Sequence, residues 1–283
     1  MATFTNQATL TYNGNVITSN ITTGEIIEVL SATKTAVIDT YSQDSRITYV
    51  VQILNSGAIP FTGLNVTDNL GVYTFGMTAL VPLDYVDGSV QYYVNGVLQP
   101  APTVTTGTAL TFGGISVPAN GVATIIYVAE TNQFAPLGLT DSIVNTVVVS
   151  GNNITEITAT ETITPESGAR LTITKTLSPT VITESGRLTY TFTIQNTGNL
   201  PITVADSVTV TDTFDPILTD ITVTFNGTTW TEPANYNYSE TTGQFTTALG
   251  QITVPAATYS QNPLTGAWVI EPGVSVLTVT GTI

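Results

Sequence analysis

The sequence has no cysteine and no histidine among its 283 residues. Their absence excludes disulfides, thiolate nucleophiles, Ser-His-Asp triads and the usual structural zinc sites. Charge is scarce as well, at 9% of residues, and it leans one way: 20 Asp and Glu against 5 Lys and Arg, a formal net charge of −15. That sign speaks against a nucleic-acid partner, which needs cationic contacts to phosphate, and against an anionic membrane surface. Long hydrophobic runs are missing too. The longest, Val122 to Ala129, is far short of the ~20 apolar residues of a membrane-spanning helix, so no membrane insertion is expected. The N-terminal MATFTNQATL carries neither the basic stretch nor the apolar core of a secretory leader. No cofactor and no metal are expected. Asp84, Asp87, Asp212 and Asp215 offer oxygen ligands but follow no EF-hand pattern, and they read as solvated loop residues.

What remains is rich in Thr, Val, Ile, Gly and Asn, a mixture that favours strands and turns over amphipathic helices. It is also repetitive. Thr33-Lys34-Thr35, Arg46-Ile-Thr-Tyr49, Asn55-Ser-Gly57, Pro60 and Val66-Thr67-Asp68 recur as Thr174-Lys175-Thr176, Arg187-Leu-Thr-Tyr190, Asn196-Thr-Gly198, Pro201 and Val210-Thr211-Asp212. The intervals agree: Lys to Arg is 12 residues in each copy (46 − 34 and 187 − 175), and Lys to Asn is 21 (55 − 34 and 196 − 175). Downstream, Asn95-Gly96 matches Asn226-Gly227, a signal for a tight hairpin turn, and Ile115–Pro118 matches Ile252–Pro255. The segments alternate apolar residues with Thr or Ser, as half-buried strands do. The fold class is therefore all-β, with two immunoglobulin-like β-sandwich domains.

The copies are cut out of phase. The first continues into a further strand, Asp141 to Gly151, containing Asn145-Thr. The second stops at Ile283 without one, and the best match to that strand is Phe4 to Gly14, containing Asn6. The organisation expected is a donor strand at 1–15, a linker at 16–29, a first sandwich at 30–151, a linker at 152–169 and a second sandwich at 170–283 that lacks its last strand. Phe4, Ala8, Leu10 and Tyr12 are the donor side chains. An incomplete sandwich leaves a row of unpaired backbone groups and an apolar groove. Strand addition from another subunit satisfies both, and a heterologous contact of this kind propagates head to tail. The alternative is that the strand folds back onto the second domain of its own chain.

The chain's only two lysines, Lys34 and Lys175, hold the same repeat position. Each is followed by an aspartate, Asp68 or Asp212, at a strand end. With Asn145 and Asn6 the order becomes Lys, Asp, Asn. These marks (TKT, then ITY or LTY, NSG or NTG, VTD and a closing NT strand) resemble the bacterial surface-protein repeat catalogued as domain of unknown function eleven. Their order and intervals also resemble the collagen-adhesin A-type domains of Gram-positive pili. That second resemblance implies a spontaneous Lys–Asn isopeptide bond assisted by the aspartate: Lys34–Asn145 with Asp68 inside the first domain, and Lys175–Asn6 with Asp212 between subunits. Burial favours the neutral amine and the protonated acid that such a reaction uses. An unreacted buried Lys–Asp ion pair is the alternative.

The reading is a structural subunit of a bacterial extracellular or spore-surface fibre, partnered by copies of itself. The rival is a monomeric adhesin that binds through an insertion at about 256–270. An enzyme fits least, because without His or Cys it would need a carboxylate pair and none stands out.

Overall fold

The computed structural model describes residues 2–152 and 154–283. It is built from strands, with one 3-10 turn at Val204–Asp206, and matches the all-β, immunoglobulin-like expectation. No helix among the described residues is long and apolar enough to cross a membrane. The chain divides into two compact units: 1–39, 44–132 and 143–163 form the first, and 40–43, 133–142 and 164–283 form the second.

In unit 1 one sheet runs in the order Val97–Gln99, Gln91–Val94, Gly121–Thr131, Arg46–Asn55, Leu30–Ala36. The facing sheet runs Thr103–Thr105, Leu110–Val117, Phe61–Asp68, Ile143–Ser150, Ile157–Pro165. Alternation decides which residues fill the space between them. Along Gly121–Thr131 every second side chain is buried, and Arg46–Asn55 puts Ile47, Tyr49, Val51 and Ile53 inward. Each fully buried Val, Ile or Leu contributes about 1.5–3 kcal/mol. Contacts such as Phe112 with Tyr127, ring centroids 5.1 Å apart, join the sheets.

Unit 2 repeats the first sheet in the same order: Thr228–Trp230, Thr219–Phe225, Gly273–Thr282, Arg187–Asn196, Leu171–Ser178. The facing sheet is shorter, with only Tyr236–Tyr238, Gln244–Thr247 and Thr211–Thr213. Phe214, Phe245, Leu218, Leu277 and Val279 form the centre of its core. The insertion expected after Pro255 is a hairpin, Thr258–Gln261 paired with Trp268–Glu271.

The repeat motifs now have physical roles. The Asn55 carboxamide donates to the carbonyls of Ile59 (2.8 Å) and Pro118 (2.9 Å) and accepts from Gly57 N–H (2.9 Å). Asn196 does the same with Leu200 (2.7 Å), Pro255 (3.0 Å) and Gly198 (2.9 Å). The Asn-Ser-Gly and Asn-Thr-Gly marks are thus side-chain clamps on a connection that would otherwise leave backbone groups unpaired. Asn95-Gly96 and Asn226-Gly227 both take positive φ, at 48° and 78° and at 48° and 79°, the type I′ geometry expected of them.

Two segments differ from the organisation read in the sequence. The 16–29 stretch, taken as a linker, carries Asn15–Thr18 and Thr22–Ile26, which pair back on Thr9–Tyr12 and Ala2–Asn6. The donor segment is therefore half of a hairpin, turned by Asn13-Gly14 at φ 47° and 81°. The 152–169 stretch carries the strand Ile157–Pro165, which pairs with Ile143–Ser150. In both, Thr and Ile, joined by Val16 in the first, are strand formers that gain a ladder by folding back.

Candidate functional site

Lys34 lies on the inward face of Leu30–Ala36, an edge strand whose outward residues are exposed. Its ammonium reaches across the sandwich to Asp68, with Nζ to Oδ2 at 2.6 Å and both side chains 0% exposed. Asp68 closes the strand Phe61–Asp68. Besides the lysine it accepts from the Tyr127 hydroxyl and, through Oδ1, from Leu70 N–H at 2.7 Å. The ammonium stands 4.7 Å from the Tyr49 ring centroid and 6.0 Å from that of Tyr127. Burial pulls the Lys34 pKa down from 10.5 to about 8, although the nearby Asp68 charge works the other way. Burial also pushes the phenols of Tyr49 and Tyr127 well above the ordinary tyrosine value.

Asn145 sits on the inner face of Ile143–Ser150. Two residues on, Val147 pairs with Asp68, so the ladder itself carries Asn145 to the same end of the sandwich. Its carboxamide is near enough to the Tyr49 and Tyr127 hydroxyls to temper their rise. It is fully buried, and neither its Oδ1 nor its Nδ2 forms a hydrogen bond. An unpartnered buried polar atom costs about 1–3 kcal/mol, so a carboxamide with both ends unsatisfied is costly to keep for packing alone. Lys34, Asp68 and Asn145, widely spaced in the chain, are thus brought to one buried site.

Unit 2 holds the same couple in another setting. Lys175 Nζ pairs with Asp212 Oδ2, but the side chains are 38% and 19% exposed. Tyr190, Phe192 and Phe214 wall the ammonium at 4.2, 5.5 and 5.4 Å to their centroids. Every residue of Leu171–Ser178 is exposed, including the inward positions Ile173, Lys175 and Leu177, whose counterparts Ala32, Lys34 and Ala36 are buried or half-buried in unit 1. Asp212 belongs to a strand paired on one side only, with Gln244–Thr247. Among the described residues nothing covers Lys175 as the Asn145 strand covers Lys34. Asn6, its expected partner, lies in Ala2–Asn6, and Asn6, Phe4, Ala8, Leu10 and Tyr12 are all exposed.

The repeat marks the lysines, aspartates and asparagines, whereas the aromatic walls become visible in the folded sandwich. The signal was present in the Arg-x-Thr-Tyr motif, where tyrosine follows lysine by 15 residues in both copies (49 − 34 and 190 − 175). Tyr127 has no phenol counterpart, because Val279 holds the matching position in unit 2.

No protein-family profile matches the chain, and no curated protein does. Solved structures similar to it include the collagen-binding domain of a Staphylococcus aureus adhesin (10% identity, 50% of this chain and 99% of that one, TM-score 0.31). Two pilins are also among them. The pilus backbone of Streptococcus pneumoniae matches at 14% identity over 86% of this chain and 55% of that one, with TM-score 0.35. The major pilin subunit of Bacillus cereus matches at 10% identity over 95% and 73%, with TM-score 0.37.

Proposed function

We propose that the chain is a structural subunit of a bacterial surface fibre, extracellular or on a spore, which assembles head to tail by strand complementation and is locked by Lys–Asn isopeptide bonds. One observation carries the reading: the same lysine–aspartate couple occurs twice, closed over by an asparagine-bearing strand in unit 1 and open along a strand edge in unit 2.

In unit 1 the chemistry is a single turnover. With a pKa of about 8, about one Lys34 in ten is a neutral amine at pH 7, against a few in ten thousand for an ordinary lysine. The Nζ lone pair attacks Cγ of Asn145, forming the new C–N bond. The carboxamide C–N bond then breaks and ammonia leaves. Asp68, in hydrogen-bond reach of Nζ, takes the amine proton and returns it to the departing nitrogen. Holding amine and amide in one dry site supplies the high effective concentration that such a sluggish exchange needs. In unit 2, Lys175 and Asp212 wait for Asn6 of another subunit, so each joint of the fibre becomes covalent.

Denaturing electrophoresis and intact mass of the boiled protein test this. The expected result is a ladder of multimers, lighter by one ammonia per bond, yielding Lys34–Asn145 and Lys175–Asn6 cross-linked peptides. A single band of unmodified mass would overturn the cross-link. A monomer short by one ammonia would leave only the unit 1 bond.

A further inference from the structure

In unit 1 the Lys34–Asp68 couple is closed over by a hairpin and not by one strand. Ile143–Ser150 pairs with Phe61–Asp68 on one side and with Ile157–Pro165 on the other. In unit 2 the corresponding sheet ends at Thr211–Thr213, so two strands are wanting there among the described residues. Residues 2–26 also form a hairpin, which keeps the unit 1 register along Ala2–Asn6 and Thr22–Ile26 and shifts by one residue nearer its turn, where Leu10 faces Ile17. Phe4 faces Gly24 and Asn6 faces Thr22, while Ile143 faces Ile163 and Asn145 faces Glu161. Both strands are offset by the same 139 residues (145 − 6 and 161 − 22), so the two hairpins share one register through this stretch. Resting on the head-to-tail reading above, we infer that unit 2 receives the whole hairpin of residues 2–26 from a second copy of this chain, docked as an intact two-stranded element.

Side-chain volume agrees. Ile143 and Ile163, a facing pair, are both buried in unit 1. In the N-terminal hairpin the facing pair is Phe4 and Gly24, and the Phe4 ring lies over Gly24 where any Cβ would stand. One aromatic ring folded across a glycine fills the space of two aliphatic side chains. Nearer the turn, Leu10 sits opposite Ile17, at 63% and 59% exposure, an apolar pair that no described residue covers. A two-stranded ribbon is marginal in water by itself, and its apolar face needs a sheet to join. A preformed hairpin also docks with less ordering entropy to lose than a single free strand.

The unit 1 register sets the seating. Val147, Val148, Val149 and Ser150 lie opposite Asp68, Thr67, Val66 and Asn65. Carried over through Val210-Thr211-Asp212, it places Ala8, Thr9, Leu10 and Thr11 opposite Asp212, Thr211, Val210 and Thr209. Asn6 then approaches Lys175 as Asn145 approaches Lys34, and Asn15–Ile26 becomes the new outer edge of the sheet.

Because the chain has no cysteine, introduced pairs report this cleanly. In an Asn6→Ala background, which removes the covalent lock, Thr9→Cys with Thr211→Cys reports seating. Oxidation gives a ladder that collapses on reduction. A disulfide confined to the monomer band, or none, overturns donation between copies. Separately, Thr5→Cys with Thr23→Cys staples the two strands of the hairpin on the face away from Phe4. Stapled and reduced forms are expected to give fibres of equal length and number by electron microscopy. Loss of fibres on stapling alone, with the Thr9–Thr211 ladder intact, overturns hairpin donation and leaves single-strand donation standing. Loss of both removes the head-to-tail reading itself.

Discussion

Asn145→Ala separates a buried amine from a buried amide by pH. The substitution removes the acceptor of the proposed cross-link but leaves Lys34 and Asp68 in place, so Lys34 remains an amine. Its folded pKa is about 8 against an ordinary 10.5. Below about pH 8 both folded and unfolded states carry the proton, and the full cost of burying the charge is present. Between about 8 and 10.5 the unfolded state binds the proton while the folded state has lost it, so stability rises with pH. At about 1.36 kcal/mol per pKa unit, going from about pH 7 to about pH 9.5 adds about 2 kcal/mol. Stopping there avoids Tyr49 and Tyr127, whose raised values begin to act in the opposite sense above about pH 10. The assay is urea unfolding of the full chain by far-ultraviolet circular dichroism. Both tryptophans, Trp230 and Trp268, lie in unit 2. Their fluorescence therefore marks the unit 2 transition, and the other belongs to unit 1. The unit 1 midpoint of Asn145→Ala is expected to climb across this window, while that of the wild type, with a non-titrating amide, stays level. A flat Asn145→Ala profile would refute the buried-amine geometry. The same climb in the wild type would refute the bond.

Tyr127→Phe deletes a hydroxyl donor to Asp68 and is expected to lower unit 1 stability by about 1.5–3 kcal/mol, read from the same urea midpoint. Asn196→Ala strands the Leu200 and Pro255 carbonyls and the Gly198 N–H, so unit 2 should lose at least about 2 kcal/mol by tryptophan fluorescence. Leu10→Asp, at an exposed position, should leave both unfolding transitions in place while abolishing fibres under the electron microscope, because in the proposed strand complementation a carboxylate would have to enter the unit 2 core.

The repeat, its all-β character and the two lysine–aspartate couples were legible in the residues. Alternation along Arg46–Asn55 and Arg187–Asn196 depends only on the period of two of a strand, and Asn-Gly pairs need no partner to favour a tight turn. The Asn13-Gly14 pair carries the same signal for the N-terminal hairpin, whose second strand lies in the 16–29 stretch expected as a linker. Burial and partnership were not legible. The motifs around Lys34 and Lys175 are nearly the same, yet one ammonium is sealed and the other stands at an open edge. Asn145 being left without a hydrogen bond, and Tyr127 reaching Asp68 where unit 2 has Val279, are matters of which strands face each other across the sandwich. The sequence by itself determined which residues alternate, turn and repeat, since those are local properties of neighbouring positions. Only the tertiary structure decided which of them are dry, paired or uncovered, because desolvation depends on strands distant in the chain closing over the same side chain.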